Sequence, residues 1–255
     1  MHPILFTIGP LTIYSYGFMV AVGFGFAAYL ASRSAHEFGI EKNKVIDLLI
    51  WILIGGIIGA RAVFIAMHIG YFKQNPAEML DLSKGGLVWY GSFAGGLAAA
   101  YIYLKARKIP VWPALDLLAP YLALGQSIGR IGCFLNGCCY GTYAIGGDLF
   151  NDLFPDKSFH RHPTQLYSSA ALLIIFIILR RWQRSRYFSG EVFLGYCMLS
   201  AGERYITEFI RGDHAWLLYY RLTIFQAVSG IVFFVALAVF VRKWREWKRR
   251  FIRSL

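Results

Sequence analysis

Long apolar runs alternate with short polar stretches along almost the whole chain. The runs cover residues 11–31, 45–69, 87–104, 112–134, 165–179, 190–210 and 222–241. Most are close to the roughly 20 residues that a helix needs to cross a bilayer core of about 30 Å. The pattern predicts an all-α polytopic integral membrane protein with about seven transmembrane helices, residues 1–255 forming one domain. The polar stretches between the runs are unequal. Arg33, Lys42 and Lys44 follow the first run, Lys105, Arg107 and Lys108 the third, Arg180, Arg181, Arg184 and Arg186 the fifth, and a basic tail over residues 242–250 the seventh. The segment after the second run has only Lys73 and Lys84, and the long loop after the fourth contains Asp148, Asp152, Asp156 and His160. Basic loops stay on the cytoplasmic side, so the N-terminus and the 148–160 loop are expected outside and the C-terminus in the cytoplasm. Six spans with one short re-entrant segment would leave that loop facing outward as well.

Composition agrees with this reading. Of the 255 residues, 57% are hydrophobic, too many for a water-soluble domain. The net charge of +12 would suit a nucleic-acid partner. The basic residues instead sit in blocks between apolar runs and form no face interleaved with aromatics, so nucleic acid is not expected. The N-terminus lacks the basic n-region and small-residue cleavage site of a secretory signal, and the first span is expected to be retained. Small-residue pairs at helix-packing spacing, Gly55 with Gly59, Gly91 with Gly95 and Gly125 with Gly129, predict close helix contacts.

Polar groups within the apolar runs are the candidate chemistry. The densest set is Gly129-Arg130-Ile131-Gly132-Cys133-Phe134-Leu135-Asn136-Gly137-Cys138-Cys139-Tyr140-Gly141. A guanidinium at membrane depth is costly and marks a functional site, unless it snorkels to the headgroups from a helix end. Gln126, Arg130, Cys133 and Gly137 recur every three to four residues, so they share one helical face, with Asn136 following where the backbone turns. A second charged face lies at Arg204, Glu208 and Arg211, spaced i,i+4 and i,i+3, with Cys197 and Ser200 on the same stripe. It reads either as a structural ion network or as an anion site. Arg61 is a further embedded charge, able to pair with helix-end carbonyls.

The Arg130 stretch closely resembles the signature of the bacterial phosphatidylglycerol–prolipoprotein diacylglyceryl transferases, and four other stretches extend the resemblance over most of the chain. One is Ile-Gly-Pro-Leu-Thr-Ile-Tyr-Ser-Tyr-Gly-Phe-Met near the N-terminus, in which Tyr16 would line the active cavity. The others are residues 85–91, which end in Tyr90-Gly91, then His162-Pro163-Thr164-Gln165-Leu166-Tyr167, and residues 204–211. The resemblance implies a multi-pass enzyme of the bacterial cytoplasmic (inner) membrane. It would move the diacylglyceryl group of phosphatidylglycerol to the lipobox cysteine in the signal peptide of a prolipoprotein, within the lipid bilayer and with no cofactor. It implies catalytic roles for Arg130, Arg204 and Tyr90, and substrate contacts from Tyr16, Arg61, Gln126, Asn136, Gly137, His162, Gln165, Tyr167, Glu208 and Arg211. Better-known members have His at the position of Tyr90, some have Glu at that of Cys138, and many have Glu at that of Ser168. A phenol with a pKa near 10 is a weak base at neutral pH, which suits Tyr90 to donating a hydrogen bond or relaying a proton. Cys133, Cys138, Cys139 and the neighbouring His160 and His162 raise a metal reading. The spacing Cys-x4-Cys-Cys is no familiar zinc pattern, so no metal is expected and the cysteines are read as packing residues.

Overall fold

The computed structural model describes residues 2–9, 11–80, 86, 88–142, 161–212, 217–219 and 222–253. A two-stranded antiparallel hairpin, β1 (Ile4–Ile8) with β2 (Leu11–Tyr14), precedes the first helix. The helices are α1 (Ser15–Ser34), α2 (Lys42–Met67), the short α3 (Ile69–Gln74), α4 (Trp89–Ala106), α5 (Val111–Asn136), α6 (Thr164–Trp182), α7 (Glu191–Glu208) and α8 (Ile224–Arg253). A second small hairpin, β3 (Leu217–Tyr219) with β4 (Leu222–Thr223), leads into α8. Each predicted apolar run contains one of these helices over most of its length, and the protein is an all-α polytopic membrane protein. The segments Ser15–Phe38, Lys42–Met67, Thr164–Ser185 and Ile224–Ile252 are by themselves long and apolar enough to cross a membrane. The 148–160 loop lies outside the described residues.

The first helix starts later than the hydrophobic pattern suggests. Residues 11–14 are apolar enough to extend a helix, but Gly9 is in the left-handed conformation (φ 57°) and the chain folds back so that Thr7 faces Thr12. Ser15 then begins the helix, its backbone N–H donating to the Pro3 carbonyl at 2.9 Å. Apolar periodicity cannot distinguish a strand of four residues from the first turn of a helix.

The chain forms two compact units, Met1–Leu30 with Leu115–Leu255, and Ala31–Ala114. In the second unit, α2 and α4 pack antiparallel through the predicted glycines. A Cβ on Gly59 would meet the Gly91 carbonyl oxygen at 2.3 Å, and one on Gly95 would meet the Gly55 oxygen at 2.2 Å. Only glycine lets the two backbones approach so closely. Tyr103 adds a hydrogen bond from its hydroxyl to Asp47 Oδ2 at 3.3 Å. Arg61 is buried in this unit. Its guanidinium donates to the carbonyls of Met79 (2.9 Å), Glu78 (2.6 Å) and Gly86 (3.3 Å), with the rings of Phe64 and Phe72 each 5.5 Å away. This arginine thus anchors the segment before α4 through carbonyls.

In the first unit an apolar core of Ala119, Ala123, Leu172, Ile175, Leu179 and Val192 joins α5, α6 and α7. Pro120 lies inside α5 and, having no N–H, leaves the Asp116 carbonyl without its helical donor. Gln183 supplies one, its Nε2 donating to that oxygen at 2.6 Å. The Asp116 carboxylate accepts from the backbone N–H groups of Gly190 (2.6 Å) and Phe193 (2.9 Å), so one turn of α5 holds the start of α7. Glu191 does the same for the preceding turn, accepting from Trp182 Nε1 at 2.8 Å and Tyr187 N at 2.6 Å. Closer to the site, the hydroxyls of Ser127 and Ser169 each donate to the other residue's carbonyl, at 2.8 and 2.9 Å, and lock α5 to α6.

Candidate active site

The site is built where α5 ends. Gly137 has φ 76°, its N–H donates to the Phe134 carbonyl at 3.1 Å, and the next N–H, from Cys138, reaches the Cys133 carbonyl at 3.2 Å. These two bonds form a Schellman cap, whose left-handed position favours a residue without a Cβ, here Gly137. The cap turns the chain away from the helix axis. Cys139, also left-handed at φ 62°, turns it again. The following residues form a bridge between two parts of the chain. Gly141 N donates to the His162 carbonyl (2.9 Å), Thr142 N to that of Ile210 (2.8 Å) and Gly212 N to that of Tyr140 (3.1 Å). The segment thereby ties the start of α6 to the end of α7.

This arrangement brings three guanidiniums to one cavity. Arg130, Arg204 and Arg211 line it with Cys139, Thr164, Gln165, Ser168 and Thr207. Glu208 lies behind two of the arginines, its side chain only 2% exposed. Its Oε2 is 2.8 Å from Arg204 Nη2 and 3.9 Å from Arg211 Nε, while Oε1 accepts from the Thr223 hydroxyl at 3.0 Å. The predicted i,i+4 and i,i+3 geometry is therefore realised, and the carboxylate orients guanidiniums whose side chains remain 21% and 14% exposed. The Arg204 guanidinium carbon also lies over the Phe225 ring, 4.7 Å from its centroid, a cation–π contact. Two arginines share one carboxylate and a third stands beside them, so the cavity wall has an excess of positive charge suited to an anion.

Gln165, expected as a substrate contact, is buried in that wall. Its Nε2 donates to the Cys138 carbonyl at 2.6 Å, and its Oε1 has no hydrogen-bond partner among the described residues. A buried amide oxygen of this kind calls for a donor from a ligand or water. Glu203 was not anticipated from the sequence. Its carboxylate accepts from the hydroxyls of Ser168 and Thr207, the latter at 3.1 Å, and both hydroxyl residues line the cavity. The available signal was its i,i+4 spacing to Thr207. That Ser168 faces it from another helix is visible only in the fold.

Other predicted residues have different surroundings. Gln126 is exposed and donates to the Tyr196 hydroxyl at 2.8 Å. Asn136 caps α5 and is exposed. Tyr16 is 46% exposed, and its backbone packs on Gly132, where a Cβ would approach the Tyr16 Cα at 3.3 Å. His162 contributes its backbone to the bridge, with its ring 6.2 Å from that of Tyr167. Tyr90, in the first turn of α4, is 64% exposed. Together with Arg61 it belongs to the other unit.

Known proteins resemble this sequence over most of its length. A family profile described as prolipoprotein diacylglyceryl transferase matches residues 3–242. The chain is 38% identical to a phosphatidylglycerol–prolipoprotein diacylglyceryl transferase of Clostridium tetani over 84% of its own length and 86% of the relative's. Proteins of the same description from Lactiplantibacillus plantarum and Bacillus velezensis are 31% and 30% identical, over 96% and 97% of this chain and 90% and 93% of theirs. Matched almost end to end by the profile and by these relatives, the chain belongs to the prolipoprotein diacylglyceryl transferase family.

Proposed function

We propose that this protein transfers the diacylglyceryl group of phosphatidylglycerol to the lipobox cysteine of prolipoprotein signal peptides in the bacterial cytoplasmic membrane. The observation that carries the proposal is the convergence of Arg130, Arg204 and Arg211 on one cavity, within a chain of this family. A planar guanidinium binds phosphate through two parallel hydrogen bonds, and does so most strongly where water competes poorly. In this reading the phosphodiester of the lipid sits against Arg130 and Arg204. The thiolate of the acceptor attacks the glyceryl carbon that bears the phosphate ester. The new S–C bond forms as the C–O bond breaks, and glycerol phosphate leaves with the electron pair. Charge that grows on the leaving phosphate is stabilised by guanidiniums already oriented by Glu208, without reorganisation at the moment of reaction.

Remaining assignments follow from this reading. Gln165, whose buried acceptor oxygen has no donor among the described residues, suits a hydroxyl of the glycerol headgroup. Tyr90 is assigned to hydrogen bonding or proton relay on the peptide. Tyr16, Arg61, Gln126, Asn136, Gly137, His162 and Tyr167 are assigned to shaping the lipid and peptide sites. Purified protein, phosphatidylglycerol and a lipobox peptide should yield a peptide heavier by one diacylglyceryl group, together with free glycerol phosphate. Lipid movement across vesicles without any covalent adduct would replace the transferase reading with a transporter.

A further inference from the structure

Transfer to a thiol needs a group that removes a proton. A free thiol with pKa near 8.5 is only a few per cent thiolate at neutral pH, and the thiolate is the nucleophile. The described residues that line the cavity are three arginines, three hydroxyl residues, an amide and a thiol, with no carboxylate among them. Two carboxylates stand directly behind this lining, and their partners differ. Glu208 is held by cations, with Arg204 Nη2 2.8 Å from its Oε2. Glu203 is held by hydroxyls. Its Oε1 accepts from Ser168 on α6 and from Thr207 on α7, the latter at 3.1 Å, and both hydroxyl residues are buried in the cavity wall. Glu203 has no ion-pair partner among the described residues. Ser168 therefore stands between the cavity and a carboxylate. A hydroxyl has one proton to give and two lone pairs to offer. Ser168 gives its proton to Glu203, and no described residue donates to its lone pairs. Those lone pairs are the acceptors that a thiol S–H in the cavity meets.

We propose that Glu203 takes up the proton of the acceptor thiol through the Ser168 hydroxyl. The proposal rests on the transfer reading above. Ser168 is the residue that touches the thiol, and Glu203 is a positioning residue that orients the hydroxyl and stores the proton. The thiol proton passes to Ser168 Oγ as the Ser168 proton passes to Glu203 Oε1, leaving a thiolate and a carboxylic acid. Net charge is unchanged, but the negative charge moves from behind the wall to a sulfur among three guanidiniums, which favours the step. The sulfur then bonds to the glyceryl carbon as the C–O bond breaks. The electron pair stays on the phosphate oxygen, and the stored proton returns through Ser168 to the departing phosphate monoester. Other charged or titratable groups surround the pair. Arg204, Glu208 and Tyr196 share α7 with Glu203, while Arg130 and Arg211 line the cavity with Cys139, whose Sγ lies within 4.8 Å of those of Cys133 and Cys138. Below neutral pH guanidiniums stay charged and a phenol stays protonated, so an acid limb in the rate has its source in Glu203, Glu208 or Cys139.

Adduct formation by the full chain in detergent, followed by mass over a range of pH, tests this. Wild-type transfer should fall as the pH drops and the Glu203 carboxylate is protonated. Glu203→Gln keeps an acceptor oxygen for Ser168 but takes up no proton. Its rate at neutral pH should drop about a hundredfold. Its acid limb should vanish, leaving a rate that climbs with pH as the thiol ionises unaided. Glu203→Asp and Cys139→Ser should each keep the acid limb. A peptide with selenocysteine in place of the lipobox cysteine carries a selenol that is ionised at neutral pH without a base. It should react with Glu203→Gln nearly as fast as with the wild type, a rescue that a merely structural role for Glu203 would not give. An intact acid limb in Glu203→Gln, or an equal defect toward both peptides, would overturn the proposal and leave the transfer reading in place. Where Glu203→Gln does not fold, Ser168→Ala interrupts the same path from α6, and a wild-type rate there with the cysteine peptide would overturn it equally. No adduct from the wild-type protein would remove the transfer reading and this proposal with it.

Discussion

At the residue scale, the anion site depends on guanidiniums held in place by a carboxylate. Arg130→Ala and Arg204→Ala should each lower transfer about a hundredfold, the equivalent of about 3 kcal/mol of transition-state stabilisation. Lys at either position should restore only part of the rate, since it offers a point charge where a fork is needed. The adduct measured by mass over time checks this, and near-normal turnover in both alanine variants would remove the phosphate-binding role. The two positions differ in their effect on stability. Arg204→Ala leaves Glu208, 2% exposed, with its nearer cation gone and Arg211 at 3.9 Å, so its thermal unfolding midpoint should fall. Adding Glu208→Gln to that variant should recover the midpoint without recovering transfer. Tyr90 is a gentler case. Tyr90→Phe should reduce turnover by about one to two orders of magnitude while the pH–rate profile keeps both limbs. Wild-type kinetics would mean that this exposed phenol is only an interfacial anchor.

At the element scale, α2 and α4 make the closest helix contact among the described residues, and it gives a contrast between adjacent glycines. A methyl on Gly95 would meet the Gly55 carbonyl oxygen at 2.2 Å, a backbone atom that cannot move aside. One on Gly96 would meet the Ile52 oxygen at an ordinary 3.4 Å. Gly95→Ala should therefore cost about 1–3 kcal/mol through overpacking, and Gly96→Ala should be nearly neutral. Thermal unfolding in detergent separates them, and equal midpoints would show that the two backbones are not in contact as described. In the other unit, α8 combines an apolar half with an aromatic and basic end. Phe188 packs on Phe240 with ring centroids 5.5 Å apart and Tyr187 on Trp247 at 5.1 Å, while Lys243 Nζ donates to the Ser189 carbonyl at 2.8 Å. Aromatic rings and basic side chains are the expected anchors of a helix end at the headgroups.

At the scale of the whole molecule, the apolar surface makes sense only in lipid. Ile58, Ile102, Ile231 and Phe234 are each more than 60% exposed, a distribution that a water-soluble protein does not tolerate over such an area. We propose that the basic blocks set the orientation and keep the C-terminus in the cytoplasm. A reporter fused after Leu255 should be active only where it senses the cytoplasm, and one inserted in the 148–160 loop only where it senses the outside. An external C-terminus would overturn this topology.

Membrane class, the helical runs and the separate charged faces at Arg130 and at Arg204–Arg211 were legible in the sequence, because each rests on local periodicity. A helix repeats every 3.6 residues, and a bilayer demands a fixed apolar length. The same locality explains what the sequence left open. The short hairpins before the first and last long helices were not legible, because strands of two to five residues have too little period to be told from a helix end. The sequence could mark Arg61 only as an embedded charge with two possible partners, whereas the fold joins it to the carbonyls of residues 78, 79 and 86. Ser168 and Glu203 are 35 positions apart, and Cys133 reaches Cys139 only through a cap and a left-handed turn. Contacts of that kind are decided when helices pack and turns close, since the free energy that selects them comes from groups distant along the chain.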